Sequence, residues 1–143
     1  MNKAWYAVVA VVVVAGAFLL FAPKSAPNGA DVPAPVEPVG LHTIRITADG
    51  FEPASITVKQ GDSVTWANES GRNVWVASAM HPTHTAYPGS GIDKCGTAEA
   101  AAIFDACQGI ASGSSWSFVF NEVGTWKYHD HLRATVFGSV IVE

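Results

Sequence analysis

With 143 residues and a formal net charge of −4, the chain has room for one domain of ordinary size plus an appendage. Its basic residues form no stripe that could neutralise a phosphate backbone, which argues against a nucleic-acid partner. Two cysteines are too few to announce a disulfide framework, and the 49% of hydrophobic residues are unevenly spread along the chain.

The first unit is residues 1–22. Met1–Asn2–Lys3 precedes an uncharged run from Ala4 to Ala22, nearly all valine between Val8 and Val14. Such a run of roughly 19 residues is long enough to cross a hydrocarbon core as a helix. Lys3 and the terminal amine keep that end on the cytoplasmic side, with Trp5 and Tyr6 at the interface. A cleaved signal peptide is the competing reading, although it normally has a shorter apolar run and a small-x-small exit. Both readings export the remainder of the chain. Residues 23–40, with Pro23, Pro27, Pro33, Pro35 and Pro38, read as a semi-extended tether.

Residues 41–143 read as one all-β domain. His42, Ile44 and Ile46 alternate with Thr43, Arg45 and Thr47, and Ile56–Thr57–Val58 runs into the turn Gln60–Gly61–Asp62. Ser63–Val64–Thr65–Trp66 resumes the pattern. Trp116, Phe118 and Phe120 alternate with Ser115, Ser117 and Val119. Asn121–Gly124 turns the chain into Thr125–Tyr128, and Gly138–Val142 closes it. About six or seven short strands in roughly 100 residues predict a Greek-key β-sandwich. One inserted helix is expected over Ala98–Ala106, with Thr97 as its N-cap and Glu99 in its first turn. Cys95 and Cys107 flank it, and outside the cytoplasm they are expected to pair, a metal-binding thiolate pair being the alternative.

Several of these segments together resemble a known family. Phe51–Glu52–Pro53, Ile56–Thr57–Val58 and Gly61–Asp62–Ser63–Val64–Thr65–Trp66–Ala67–Asn68 resemble the N-terminal half of a cupredoxin. Gly124–Thr125–Trp126–Lys127–Tyr128–His129 and Gly138–Ser139–Val140–Ile141–Val142 resemble its C-terminal half. The likeness covers residues 41–143 except an insertion between about Ser78 and Ser114. It implies a copper-binding sandwich, commonly an electron carrier in exported or membrane-associated chains. The family's blue-copper site resembles two histidines, a cysteine thiolate and a weak axial ligand. This chain departs from it. Arg72–Asn73–Val74 stands at about the first histidine, Asp130 at the cysteine, and Leu132–Val136 where a histidine and methionine are expected.

His129–Asp130–His131 takes the place of that pattern. Residues two apart in a strand share a face, so both imidazoles can reach one ion, and with Trp126 and Tyr128 facing the core they point outward. The Tyr-His-x-His placement also resembles the strand that supplies the non-blue centres of multicopper oxidases. The insertion, read as a stapled lid over this face, contributes His84 and His81 as further ligands. Met80 is either packing or a soft axial ligand, and His42 reads as solvated. Asp130 is either a carboxylate that orients an imidazole or a buried acid replacing the thiolate. Imidazole suits several metals; the resemblance singles out copper.

The functional expectation is a membrane-anchored copper protein with its domain on the extracytoplasmic side. Its site is expected to be non-blue, of type 2 character, and used in electron transfer or copper handling with a redox or copper-donor partner. The alternatives are a small copper oxidoreductase and a metal-free extracellular interaction domain. The sequence leaves the oligomeric state open.

Overall fold

Alternating burial builds this domain. In the computed structural model, which describes residues 38–143, β1 (Leu41–Ile46) buries Ile44 and Ile46, and β4 (Ser63–Asn68) buries Val64, Trp66 and Asn68. Between them lie β2 (Phe51–Glu52) and β3 (Ser55–Val58); after them come β5 (Val76–Ser78), β6 (Ser115–Val119), β7 (Gly124–Asp130) and β8 (Arg133–Val142). The membrane segment and most of the proline-rich tether lie outside the described residues. Among the described residues no helix is long and apolar enough to cross a membrane.

The strands form two four-stranded sheets, in the orders β2-β1-β4-β6 and β3-β8-β7-β5. Both are mixed: β1 runs parallel to β4 and β3 parallel to β8, while the other pairs are antiparallel. Aromatic rings fill the space between the sheets. Trp66 is fully buried, with ring centroids 5.3 Å from Tyr128, 5.4 Å from Trp116 and 5.5 Å from Phe104. Phe104 comes from the insertion and is itself fully buried. The insertion therefore contributes a side chain to the core as well.

Among the described residues eight strands form where six or seven were expected, and the helix expected over Ala98–Ala106 does not. Only two 3-10 turns, Ile92–Lys94 and Ala100–Ala102, stand in the insertion. The Thr97 hydroxyl does accept from the Glu99 amide, but Glu99, not Thr97, is the N-cap of the turn that forms. Competing tertiary contacts end the turn at once. The Ser78 amide donates to the Phe104 carbonyl, the Ala106 amide to the Val76 carbonyl, and Ala77 bridges Asp105. These bonds hold residues 104–106 extended against β5, which buries Phe104. Burying such a side chain is worth about 2–3 kcal/mol, more than the helical preference of three alanines. Cys95 and Cys107 are joined, as expected.

At the far end of the sandwich His42 is not simply solvated: its Nε2 lies 2.8 Å from Asp62 Oδ2. That bond, with the Lys59 and Gly40 amides, holds the Asp62 carboxyl below its ordinary range. Gly138 marks a close approach in β8, opposite Tyr128. A Cβ there would lie 2.5 Å from Tyr128 Oη and 2.7 Å from the Ala54 carbonyl oxygen. Since the strand cannot retreat, Gly138→Ala is expected to cost about 2 kcal/mol by overpacking. Urea unfolding measures this, and an unmoved midpoint would contradict it.

Candidate metal centre

The site lies on the outer face of the second sheet, where β5 and β7 pair. Ala77 is opposite His129 and Ser78 opposite Tyr128, so the chain leaving β5 passes directly over the end of β7. There it turns back on itself: the His84 amide and the Thr83 hydroxyl both donate to the Met80 carbonyl. The Ser78 hydroxyl oxygen accepts from the Tyr87 amide and closes the base of this loop. His84 has a left-handed backbone, with φ of 60°. That conformation is uncommon outside glycine, and histidine is among the residues that tolerate it. Its side chain turns inward and is fully buried.

The structure brings His81, His84, His129 and His131 together. One ring nitrogen from each lies within 4.8 Å of all the others. His81 Nδ1 is 3.3 Å from His129 Nε2, and His84 Nε2 is 2.9 Å from His131 Nδ1. Two donors each about 2.0 Å from an ion stand about 2.8 Å apart at a right angle and about 3.3 Å apart at a tetrahedral one. These two separations match such angles, and with all four nitrogens within 4.8 Å of one another the cluster could hold one ion. His129 keeps the outward direction that alternation dictates but is only 4% exposed, because the 80–84 loop covers it. His131 lies past a register irregularity at His129/Asp130, its amide donating to the Trp75 carbonyl. His81 is exposed, and Met80 points into solvent at 65% exposure.

Asp130 does not orient an imidazole. Fully buried, it accepts from Arg72 Nη1 at 2.7 Å and from the Trp75 and Leu132 amides. Asp105, which sequence reasoning passes over, takes the orienting place: its Oδ2 is 2.5 Å from His84 Nδ1. The Trp75 indole nitrogen donates to its Oδ1 at 2.6 Å, and the same ring lies 4.5 Å from that of His131. The only sequence signal for Asp105 is an acid two residues before a paired cysteine.

Electrostatics favour neutral rings at His129 and His131. Burial is the main force pulling His129 down to about 4, and the neighbouring His84, His81 and His131 add to it. His131 is lowered for the same reasons. Burial works to raise Asp105, but bonds from His84, Trp75 and the Cys107 amide outweigh it and hold this carboxyl below its ordinary range. Neutral, lone-pair-bearing imidazoles beside an ionised carboxylate are what a divalent cation requires. Copper, the metal that the resemblance implies, fits this donor set.

The same burial makes the metal-free protein sensitive to pH. An unfolded chain binds a proton on His129 near its ordinary value of 6.5, while the folded chain resists protonation until about 4. Unfolded molecules therefore carry more protons in that window, and stability falls as pH drops through it. Urea midpoints at pH 7.5 and pH 5 measure the loss; a midpoint that stays level would refute it.

No protein-family model matches the sequence. The chain is 30% identical over 107 residues to plastocyanin from Scenedesmus fuscus, a match spanning 71% of this chain and 98% of that protein. It is 32% identical over 95 residues to chloroplastic plastocyanin from Tetradesmus obliquus, covering 65% of this chain and 58% of the other. Among solved structures, a purple cupredoxin from Nitrosopumilus maritimus superposes with a TM-score of 0.54 at 21% identity, over 71% of this chain and 99% of that one. An amicyanin variant in its Cu(I) form gives 0.51 at 23% identity, over 77% and 88%. At such identities the two structures speak for the fold alone.

Proposed function

Because the chain belongs to the plastocyanin-like cupredoxins, we propose that it is an exported copper protein whose ion is held by His81, His84, His129 and His131. The observation that carries this reading is the convergence of four imidazole nitrogens within 4.8 Å of one another. No thiolate accompanies them, since Cys95 and Cys107 are bonded to each other. The centre is therefore of type 2 character, without the intense blue colour that a cysteine sulfur confers. Bound there, copper would supply a one-electron couple.

The residues of the chain divide the remaining work. His84 and His129, both buried, offer fixed donors; His81 and the half-buried His131 complete the set from the solvent side. Imidazoles without a soft sulfur favour Cu(II) over Cu(I). Electron transfer here is consequently slower than at a blue site, which suits copper handling as well as a redox partner. The disulfide agrees with an extracytoplasmic setting, and the N-terminal run supplies the anchor that would keep the domain at a membrane.

Electron paramagnetic resonance of the Cu(II)-loaded chain tests the proposal. A wide parallel hyperfine splitting with coupling to imidazole nitrogens is expected. A narrow splitting of type 1 form, or no stoichiometric binding by calorimetry, would overturn it; the second result would favour a metal-free interaction domain.

A further inference from the structure

Asp105 is 2% exposed, yet it carries three hydrogen bonds on two oxygens. Trp75 Nε1 and the Cys107 amide both donate to Oδ1, at 2.6 and 2.7 Å, and His84 Nδ1 meets Oδ2. An ionised carboxylate can only accept, so the His84 proton resides on Nδ1 and the lone pair on Nε2. Nε2 is the nitrogen aimed at the other rings, 2.9 Å from His131 Nδ1. The tautomer that His84 needs as a ligand is thus imposed from outside the cluster. Besides the pairing of residues 104–106 with β5, the end of the stapled loop holds Asp105: its residue Cys107 supplies one donor and is bonded to Cys95.

We propose that Asp105 is the positioning residue that fixes the donor nitrogen of His84, and that the Cys95–Cys107 bond keeps it in place, tying metal affinity at the cluster to that disulfide. The tautomer stands on the geometry alone; the effect on affinity rests on the copper reading of the four histidines. Asparagine at this position separates the possibilities. Two donors grip Oδ1, so the amide oxygen of Asp105→Asn must stay on that side and its NH2 must face His84. The ring is then forced to accept at Nδ1 and carry its proton on Nε2, which blocks coordination there.

Long-range proton–nitrogen NMR on the metal-free full-length chain reads the tautomer directly and needs no variant. His84 is expected to be protonated on Nδ1, and in Asp105→Asn on Nε2. Competition with a chromophoric chelator should show Cu(II) held about ten- to hundredfold more weakly by Asp105→Asn, with one fewer imidazole nitrogen in the paramagnetic resonance spectrum. The paired variant Cys95→Ser/Cys107→Ser should lose affinity in the same direction. A wild-type His84 protonated on Nε2, or an Asp105→Asn chain with undiminished affinity, overturns the role of Asp105. Undiminished affinity in the double-serine chain overturns the role of the disulfide. A wild-type chain that binds no Cu(II) while His84 keeps its Nδ1 proton sinks the copper reading and supports Asp105 as the residue that orients the ring.

Discussion

His84→Ala and His129→Ala are each expected to weaken Cu(II) binding by more than about a hundredfold, and His81→Ala by much less. Loss of a group that merely orients a ligand already costs about ten- to hundredfold, and these substitutions remove the donor itself. Burial sets the order. His84 is fully buried and His129 is 4% exposed, so no water can replace the missing nitrogen without entering a closed space. His81 is exposed, and solvent can take its coordination position. His131 is half-buried and falls between. Chelator competition on the four variants gives the ranking, with circular dichroism confirming that each is folded. His84→Ala also leaves the Oδ2 of Asp105 without its partner, which should cost about 1–3 kcal/mol of metal-free stability. Equal losses across all four positions, or a His129→Ala chain that binds as the wild type does, would contradict the role of burial.

Much of this architecture is legible in the sequence because alternation marks a half-buried strand. β1, β4, β6, β7 and β8 all carry it, and all contain the expected segments, although β8 starts at Arg133, five residues before the expected Gly138. β5 is different. Its Val76, Ala77 and Ser78 are buried on both faces, one by the core and the other by the insertion, so no period is visible. The expected helix fails for a related reason: the alanines around residue 101 have the right propensity, but pairing of Phe104 and Ala106 with β5 prevails. The histidines stand out as two close pairs in the sequence. Asp105 and Trp75 do not, since each acts only through the path of a loop that local pattern cannot trace. Asp130 is visible as an anomaly, and its partner is not.

That partner leads to the second large effect. Arg72→Ala is expected to destabilise the domain by about 3 kcal/mol, the lower end for breaking a buried pair. Asp130 is fully buried, and without Arg72 its charge keeps only the Trp75 and Leu132 amides. Arg72 Nε and Nη2 are themselves buried without a partner, so removing the guanidinium also relieves two unsatisfied donors, which is why the upper end is not reached. Combining Arg72→Ala with Asp130→Asn removes the uncompensated charge and should recover part of the loss, a coupling that a double-mutant cycle isolates. Costs that simply add would show that the two groups act separately. The pair also accounts for the departure from the family pattern. Asp130 stands where the resemblance places the cysteine, and Arg72 near where it places the first histidine; joined at 2.7 Å, they put a donor-only side chain in the one place and commit the carboxylate in the other. A carboxylate at this point in β7 then serves to fix the strand end between His129 and His131. The proposed metal site lies instead on the outer face, where the neighbouring imidazoles meet those of the insertion.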